Sequence, residues 1–223
     1  MPKLKPEEVE TRRQEIVDAA RVCFLRNGFH QTTTDEICRE ASITPGGLYH
    51  YFASKDEIIS AVIDGAAHET VANLRAVAEA SGNVRSAIEA LATLFYEWAR
   101  DPELSNQTRL DVEIWAETLR NEKLAETTKE SRAIRRRWLE ALISQAKNEG
   151  LYQDDVDPGG LADLLMAIFD GLRVSRLLWD DRFDLDNALL SFRRMQMGEL
   201  TTEHLNIQAE AMEQPRQRAA SQG

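Results

Sequence analysis

Helical periodicity runs through almost the whole chain of 223 residues, and it constrains the possible folds more strongly than composition does. Apolar residues recur every three or four positions, and only a few Gly, Pro and Asn positions interrupt the pattern. Alternating segments typical of strands are nearly absent, so the sequence predicts an all-α protein. Beyond residue 54, the predicted helices cover 55–80, 84–100, 102–120, 122–149, 158–180 and 185–200.

The first predicted helix covers residues 6–27 and has one apolar face. Its apolar residues lie at i, i+4, i+7 and i+8, the spacing of a stripe that faces a core. The stripe consists of Ile16, Ala20, Cys23 and Phe24. Gly28 suits the left-handed position that closes many helices, and Phe29 behind it can pack back on Phe24. The helix is therefore predicted to end in a Schellman-type turn.

Two short helices joined by a tight turn are predicted to follow. Thr33 and Glu36 have the spacing of a capping box, which places the start of the first short helix at residue 34. Thr44 is the predicted N-cap of the second, and Pro45 occupies its first position, where a missing N–H costs nothing. Together with the first helix they form a helix-turn-helix arrangement over residues 8–53.

The N-terminal end of the second short helix lacks side chains at two adjacent positions. Leu48 and Phe52 lie one turn apart and share a face that can pack on the first helix. The residues that then fall towards solvent are Thr44, Gly46, Gly47, Tyr49 and His50. Such a bare helix end can approach a partner closely, and its free N–H groups and positive dipole end favour an anion. This pattern indicates contact with a DNA phosphate backbone, with the helix end in a major groove.

The charge of the chain does not by itself predict a nucleic-acid partner. The formal net charge is −11, and residues 1–60 carry 8 Lys and Arg against 10 Asp and Glu, a net of −2. Basic side chains usually neutralise phosphates, but hydroxyl and backbone N–H groups also bind them. For an isolated Tyr or His a packing role is the better interpretation, and only the combination of caps, turn and paired glycines favours DNA.

Residues 13–62, RQEIVDAARVCFLRNGFHQTTTDEICREASITPGGLYHYFASKDEIISAV, closely resemble the TetR family of bacterial transcription regulators. The resemblance implies a homodimer whose chains each have an N-terminal three-helix helix-turn-helix domain and a larger helical ligand-binding and dimerisation domain. It further implies binding to a pseudo-palindromic double-stranded DNA operator and release by a small-molecule effector. A repressor is the expected function, although the sequence does not distinguish it from an activator.

The resemblance also assigns DNA contacts by position. Thr33 caps the second helix near a phosphate, and residues 44–47 begin the recognition helix, which meets bases. Tyr49 touches DNA, whereas His50 contacts a base or the backbone. The full set of implied DNA-binding residues is Thr33, Thr44, Pro45, Gly46, Gly47, Tyr49, His50, Tyr51 and Lys55, the last two at phosphates.

Two residues depart from the pattern of the family. Ser42 stands where the family often has Gly, and a left-handed Ser would cost about 1 kcal/mol. Gly47 stands where a small polar side chain is common. Because Gly47 has no side chain, direct readout of bases is predicted to rest on fewer residues.

The predicted organisation is a tail over residues 1–9, a DNA-binding domain over 10–54, a ligand-binding and dimerisation domain over 55–200, and a polar, disordered tail over 201–223. A capping box of Ser54 and Glu57 is predicted to open the second domain. Segment 158–180 is apolar on more than one face, which predicts burial on more than one side. The resemblance makes the last two helices a dimer interface, with a monomer core as the alternative. The predicted interface residues are Leu161, Leu165, Ile168, Phe169, Leu172, Leu189 and Phe192.

An effector pocket is predicted between the middle helices, which loosely resemble the C-terminal domain of BetI-type regulators. Its candidate lining residues are Phe95, Trp98, Leu110, Ile114, Trp115 and Trp138. Aromatic residues at helical spacing are more often plain core, and that alternative stays open. Asp111, Glu113 and Glu117 indicate either a site for a cationic ligand or a solvated acidic face, in which Glu117 pairs with Arg120.

No other chemistry is favoured by the sequence. The four histidines are scattered without metal-binding spacing, so no catalytic set, metal site or cofactor is predicted. Cys23 and Cys38 are predicted to be buried thiols, with a redox switch as the alternative, and two cysteines suit a reducing cytoplasm. No apolar run approaches the roughly 20 residues of a membrane helix. The rival function is a helical small-molecule carrier or enzyme with a vestigial DNA-binding motif.

Overall fold

The computed structural model describes residues 5–199, apart from the side chain of Asp181. This part of the chain contains nine α-helices, one 3₁₀ turn and no strand, which confirms the predicted all-α fold. The predicted tail over 201–223 lies outside the described residues. The helices are α1 (Pro6–Asn27), α2 (Thr34–Glu40), α3 (Pro45–Tyr51), α4 (Lys55–Ala80), α5 (Val84–Arg100), α6 (Glu103–Thr118), α7 (Glu122–Asn148), α8 (Pro158–Trp179) and α9 (Leu185–Gln196), with the 3₁₀ turn at Asp180–Arg182.

The breaks between helices follow caps that the local sequence supplies. Asn83, Asn121 and Asp157 each accept a hydrogen bond from the backbone N–H three residues later, at the starts of α5, α7 and α8. Ser54 caps α4 as predicted, but the predicted capping box is wrong, because the Glu57 carboxylate accepts from the N–H of Ala53 instead. Helices α6 and α9 end earlier than predicted.

A single hydrophobic cluster holds α1, α2 and α3 together and continues into later helices. Ile16, Ala20, Cys23 and Phe24, the predicted apolar stripe of α1, are fully buried. The members of this cluster from later helices are Ile58, Ile59 and Val62 of α4, Leu110 and Ile114 of α6, and Leu124 of α7. The described residues up to Phe183 form one compact unit, so the predicted domain boundary between residues 54 and 55 stays a prediction.

The end of α1 is a glycine turn held by a carboxylate from α6. The N–H of Gly28 donates to the Phe24 carbonyl at 2.8 Å, and the rings of Phe24 and Phe29 pack 5.8 Å apart, as predicted. Gly28 has φ +79° but ψ 164°, so the predicted left-handed helical conformation is wrong in ψ. A Cβ atom at Gly28 would lie 2.5 Å from Glu113 Oε1, which adds a steric reason for glycine to its positive φ.

The longer helices pack side by side, with α4 along α7 and α7 along α8. Helix α6 contacts α7 and α8 and also contacts α1. It therefore joins the three N-terminal helices to the helical bundle.

Helix α8 is less buried than its apolar sequence predicts. Its only buried residues are Gly159 and Ala162. Leu164 and Leu178 are 51% and 61% exposed. Within one chain, one face of α8 is open to solvent, so burial of a second side stays a prediction that requires a partner.

Candidate nucleic-acid interface and effector region

The predicted capping box fixes the start of α2. Thr33 Oγ1 accepts from the N–H of Glu36 at 3.2 Å, and the Glu36 carboxylate accepts from the N–H of Thr33 at 2.7 Å. The backbone and hydroxyl donors of Thr33 hold the pKa of the Glu36 carboxyl below its ordinary value. Because both side chains bind the backbone, the exposed Thr33 has a defined orientation at the start of the helix.

The turn between α2 and α3 is closed by a non-glycine residue in the left-handed region. Ser42 has φ +52°, which is the left-handed conformation considered in the sequence analysis for this position. The N–H of Ile43 donates to the Cys38 carbonyl at 2.9 Å across this turn, and Arg12 reaches the Ser42 carbonyl at 3.4 Å. These hydrogen bonds hold Ser42 in a conformation that costs an L-residue about 1 kcal/mol.

Helix α3 is anchored by its apolar face and capped at its N-terminus. Leu48 and Phe52 are fully buried, which confirms that they share the core-facing side. Thr44 Oγ1 accepts from the N–H of Gly47 at 3.2 Å, and Pro45 occupies the first helical position, as predicted. The opposite side of α3 is thereby turned away from the core.

The predicted DNA-binding residues of this segment lie on one exposed surface. Those open to solvent are Thr33, Thr44, Pro45, Gly46, Tyr49 and His50, while Gly47 and Tyr51 are half-buried. Tyr49 is 57% exposed. A Cβ atom at Gly46 would meet nothing within 4 Å, whereas one at Gly47 would lie 3.3 Å from Thr44 Oγ1. Gly46 therefore leaves open space on the outer side of α3, and Gly47 makes room for the cap.

Lys55, the ninth predicted DNA contact, is engaged within the protein. Its ammonium group donates to the carbonyls of Phe29 at 2.6 Å and Thr32 at 3.0 Å, and reaches that of His30 at 3.5 Å. Burial lowers the pKa of Lys55. An ammonium has three donors, and these carbonyls use them. Its contact with a phosphate stays a prediction, and the geometry favours a structural role.

The predicted pocket residues differ in burial, and the pocket that they would line stays a prediction. Leu110 and Ile114 are buried in the cluster that also holds α1, so they are core. The half-buried members are Phe95, Trp98, Trp115 and Trp138. Two open clefts in the described part of the chain lie at the surfaces of α1 and α2, and no predicted pocket residue lines them.

Asp111, Glu113 and Glu117 of α6 each have a partner within the protein, so the solvated acidic face is a wrong interpretation. Asp111 forms an ion pair with Arg173 of α8. Glu113 accepts from the backbone N–H of Phe29 at 2.6 Å. Glu117 lies 3.6 Å from the imidazole of His30, not in the predicted pair with Arg120. Asp111 therefore joins α6 to α8, whereas Glu113 and Glu117 join α6 to the turn that follows α1.

Sequence reasoning missed a group of arginines in α7 and α8. Arg173 of α8 binds Asp111 of α6 and Asp170 of α8, and Arg132 of α7 approaches Asp170 at 3.5 Å. Burial lowers the pKa of the neighbouring Arg135 of α7. Three- and four-residue spacing places Arg132, Arg135 and Arg136 on one face of α7. This spacing could have indicated a cluster of arginines from the sequence. Only the fold shows that part of this face of α7 points towards the other helices.

The predicted dimer residues have mixed environments. Leu161, Leu165, Ile168 and Leu172 are half-buried on α8. Phe169 is also half-buried, and its ring packs 5.4 Å from that of Phe95 in the same subunit. On α9, Leu189 is buried and Phe192 half-buried. All seven assignments to a dimer interface stay predictions.

The two cysteines are buried in the N-terminal core, as predicted. Burial raises the pKa of both thiols, which lowers the fraction of reactive thiolate. Within residues 5–199, no group of three or more His, Cys, Asp or Glu side chains could hold a metal ion. No helix in that range is both long and apolar enough to cross a membrane.

A buried three-helix core that presents the outer side of its third helix is the arrangement of a helix-turn-helix DNA-binding protein. Residues 16–62 match the family described as bacterial regulatory proteins, tetR family, and residues 87–200 match the C-terminal family of BetI-type transcriptional repressors. The chain belongs to the TetR family.

Relatives and solved structures agree with this assignment. The HTH-type transcriptional regulator UidR of Escherichia coli (strain K12) is 30% identical over 165 residues, which cover 74% of this chain and 81% of UidR. The HTH-type transcriptional repressor KstR2 of Rhodococcus jostii (strain RHA1) is 28% identical over 146 residues, covering 66% and 70%. The structure of Salmonella enterica GusR superposes with a TM-score of 0.65 at 29% identity, covering 89% and 99%. FadR from Bacillus subtilis, solved in complex with stearoyl-CoA, has a TM-score of 0.66 over 84% and 99%, and its 19% identity shows the fold alone.

Proposed function

We propose that this protein is a homodimeric repressor that binds a pseudo-palindromic operator through α3 and releases it when a small-molecule effector binds the helical bundle. The observation that supports this most directly is the exposed surface of α3, held in place by buried Leu48 and Phe52. The family and a relative named as a repressor favour repression over activation. A cytoplasmic location follows from the need to reach DNA.

The proposed DNA contacts are of two kinds: contacts to phosphates, which position the protein on the duplex, and contacts to base edges, which read the sequence. Thr33 and Tyr51 supply hydroxyl groups for phosphates, which fix the register of the protein on the duplex. Residues 44–47 form the end of α3 that enters the major groove, with Tyr49 and His50 beside them. Gly46 lets the helix backbone approach base edges, because no side chain stands in the way.

The proposed dimer uses the open face of α8. Exposed residues recur at helical spacing along this helix, at Gly160, Leu164, Ala167, Gly171 and Leu178. None of these side chains is charged, which is typical of a surface that a partner covers. Two copies related by a twofold axis would place their α3 helices about 34–36 Å apart, or a multiple of one duplex turn.

The proposed effector response uses α6 as the connection. Asp111 binds Arg173 inside the bundle, and Glu113, two residues later on the same helix, binds the N–H of Phe29. We propose that α6 can take two positions relative to the rest of the bundle. An effector with higher affinity for one of them would shift the equilibrium to that position, and the N-terminal helices would move with α6. FadR from Bacillus subtilis shows that this fold can hold a small molecule, and its low identity leaves the ligand of this chain open.

The test is a fluorescence-anisotropy titration of full-length protein with duplex DNA from upstream of its own gene. We expect salt-sensitive binding with a dissociation constant on the order of 10⁻⁸ M or below, and footprint protection over two half-sites. Tyr49→Ala should weaken binding at unchanged helicity, and Val22→Ala, an exposed apolar residue of α1, should not. Equal, weak binding to the upstream DNA and to random duplex DNA would instead support a carrier or enzyme with a vestigial motif.

A further inference from the structure

Helix α3 is too short to fix its own orientation. It has seven residues, Pro45–Tyr51, and within this range only Leu48 is buried. Isolated helices of fewer than about 12 residues are marginal in water, so α3 depends on contacts with the rest of the protein. Leu48 and the adjoining Phe52 hold its core-facing side. The direction in which its exposed surface points then depends on the contacts at its two ends.

Arg12 of α1 contacts the bend that precedes α3. Its Nη2 atom donates to the Ser42 carbonyl at 3.4 Å, two residues before Thr44, the N-cap of α3. The guanidinium also forms an ion pair with Glu15, three residues later on α1, which limits the directions in which it can point. Because Ser42 already has φ +52°, a contact that holds its carbonyl restrains the bend through which α2 leads into α3.

Arg13 of α1 contacts the residue that ends α3. Its guanidinium carbon lies 4.7 Å from the centre of the Phe52 ring, and a cation over an aromatic face at this distance is attracted to it. Phe52 is the C-cap of α3, and its N–H donates to the Leu48 carbonyl. Glu10 approaches the same guanidinium at 4.0 Å from the preceding turn of α1. Arg13 therefore restrains the C-terminal end of α3.

Two consecutive residues of one helix thus reach the two ends of α3. Helix α1 has 22 residues and a buried apolar face, so it is a firm support for both contacts. The side chains of Arg12 and Arg13 are 37% and 36% exposed, and each lies beside a carboxylate of α1 itself. Part of the positive charge of each guanidinium is therefore already balanced, which favours contacts within the protein over a contact with a DNA phosphate.

We propose that Arg12 and Arg13 are positioning residues for α3, which hold its two ends against α1 so that its exposed surface keeps the direction needed to enter the major groove. They act through Ser42 and Phe52 and do not touch DNA. Each contact is modest by itself, because a partly exposed hydrogen bond or cation–π pair changes an equilibrium constant by about two- to tenfold. This inference rests on the proposed binding of DNA through α3.

The first test is amide hydrogen exchange of the full chain without DNA, read by mass spectrometry in peptides that cover residues 48–52. We expect these amides to exchange about two- to tenfold faster in Arg12→Gln and Arg13→Gln than in the wild type, because one end of α3 is released. Arg13→Lys keeps a cation over the Phe52 ring and should restore most of the protection.

Arg21→Gln is the matched control for both variants. Arg21 lies on the same helix with its side chain 40% exposed, but it binds Glu69 of α4 at 2.7 Å and not α3. Its replacement should leave the exchange of residues 48–52 unchanged. Wild-type exchange of α3 in both Arg12→Gln and Arg13→Gln, or an equal rise in Arg21→Gln, overturns the proposal.

The second test measures operator binding of the same variants by fluorescence anisotropy. Arg12→Gln and Arg13→Gln should each weaken operator binding by about two- to tenfold, with the slope of log K against log salt concentration unchanged. A slope reduced in magnitude by about 0.9 would show that the residue binds a phosphate instead, and that result overturns its positioning role. Wild-type operator affinity in both variants overturns it as well. A wild type that binds no operator contradicts the proposed function, whereas hydrogen exchange needs no DNA and decides independently whether the arginines hold α3.

Discussion

The carboxylate of Glu113 accepts the backbone N–H of Phe29 across 84 residues of sequence, and so joins α6 to the turn between α1 and α2. The carbonyl of the same Phe29 accepts from Lys55 of α4. Charged side chains from two helices therefore hold both backbone groups of one residue. Since this turn leads into the helix-turn-helix, its position depends on α4 and α6, which both extend into the bundle.

The first prediction concerns the Glu113 hydrogen bond. Glu113→Ala leaves the N–H of Phe29 without an acceptor, and we expect the free energy of unfolding to fall by about 1–3 kcal/mol in urea denaturation. Glu113→Gln keeps an acceptor oxygen at the same reach and should lose less. If both variants unfold like the wild type, the hydrogen bond does not hold the turn.

A second prediction separates the two interpretations of Lys55. Lys55→Met should lower the free energy of unfolding by about 1–3 kcal/mol, because the carbonyls of Phe29 and Thr32 lose their donor. The slope of log K against log salt concentration for operator binding should stay unchanged. A slope reduced in magnitude by about 0.9 would show instead that Lys55 binds a phosphate.

The third prediction concerns close approach of α3 to DNA. Gly46→Ala meets no atom within 4 Å, and it should stabilise the protein by up to about 1 kcal/mol through helix propensity. We nevertheless expect operator affinity to fall by about tenfold or more, because the new methyl group stands between the helix and the bases. Gly65→Ala in α4, which also meets no atom within 4 Å, is the matched control and should keep full affinity. Wild-type affinity in both variants would show that Gly46 does not face the DNA.

Ser42 supports a fourth prediction, on stability alone. Ser42→Gly removes the side chain from a position with φ +52°, and the free energy of unfolding should rise by up to about 1 kcal/mol. Ser81→Gly, at a residue with φ −81° after α4, should not stabilise, because the backbone there suits any residue. Equal effects at the two sites would mean that the turn does not store strain at Ser42.

Local features of the fold could be predicted from sequence, and long-range contacts could not. The cap at Thr44 and the bend at Ser42 depend on residues within four positions, so their chemistry is visible in the sequence. The partners of Lys55 and Glu113 lie in the distant turn between α1 and α2. From the sequence alone, a charged residue in a helix that binds such a partner cannot be distinguished from one that is exposed to solvent. For the same reason, the sequence indicated an acidic α6 but not the arginine group that neutralises Asp111.

The last prediction concerns the open face of α8 as the dimer interface. Leu164→Glu combined with Leu178→Glu places two charges on this apolar stripe, and burying them against a second copy would be costly. We expect light scattering to report the mass of one chain, 25.3 kDa, instead of twice that value. The control is Leu119→Glu, at an 86% exposed leucine beyond the end of α6, which should stay dimeric. Because one α3 contacts only one half-site, the monomeric variant should also lose most of its operator affinity while keeping its helicity. A variant that stays dimeric would place the interface elsewhere, whereas a monomer with wild-type operator affinity would show that pairing of half-sites is not required.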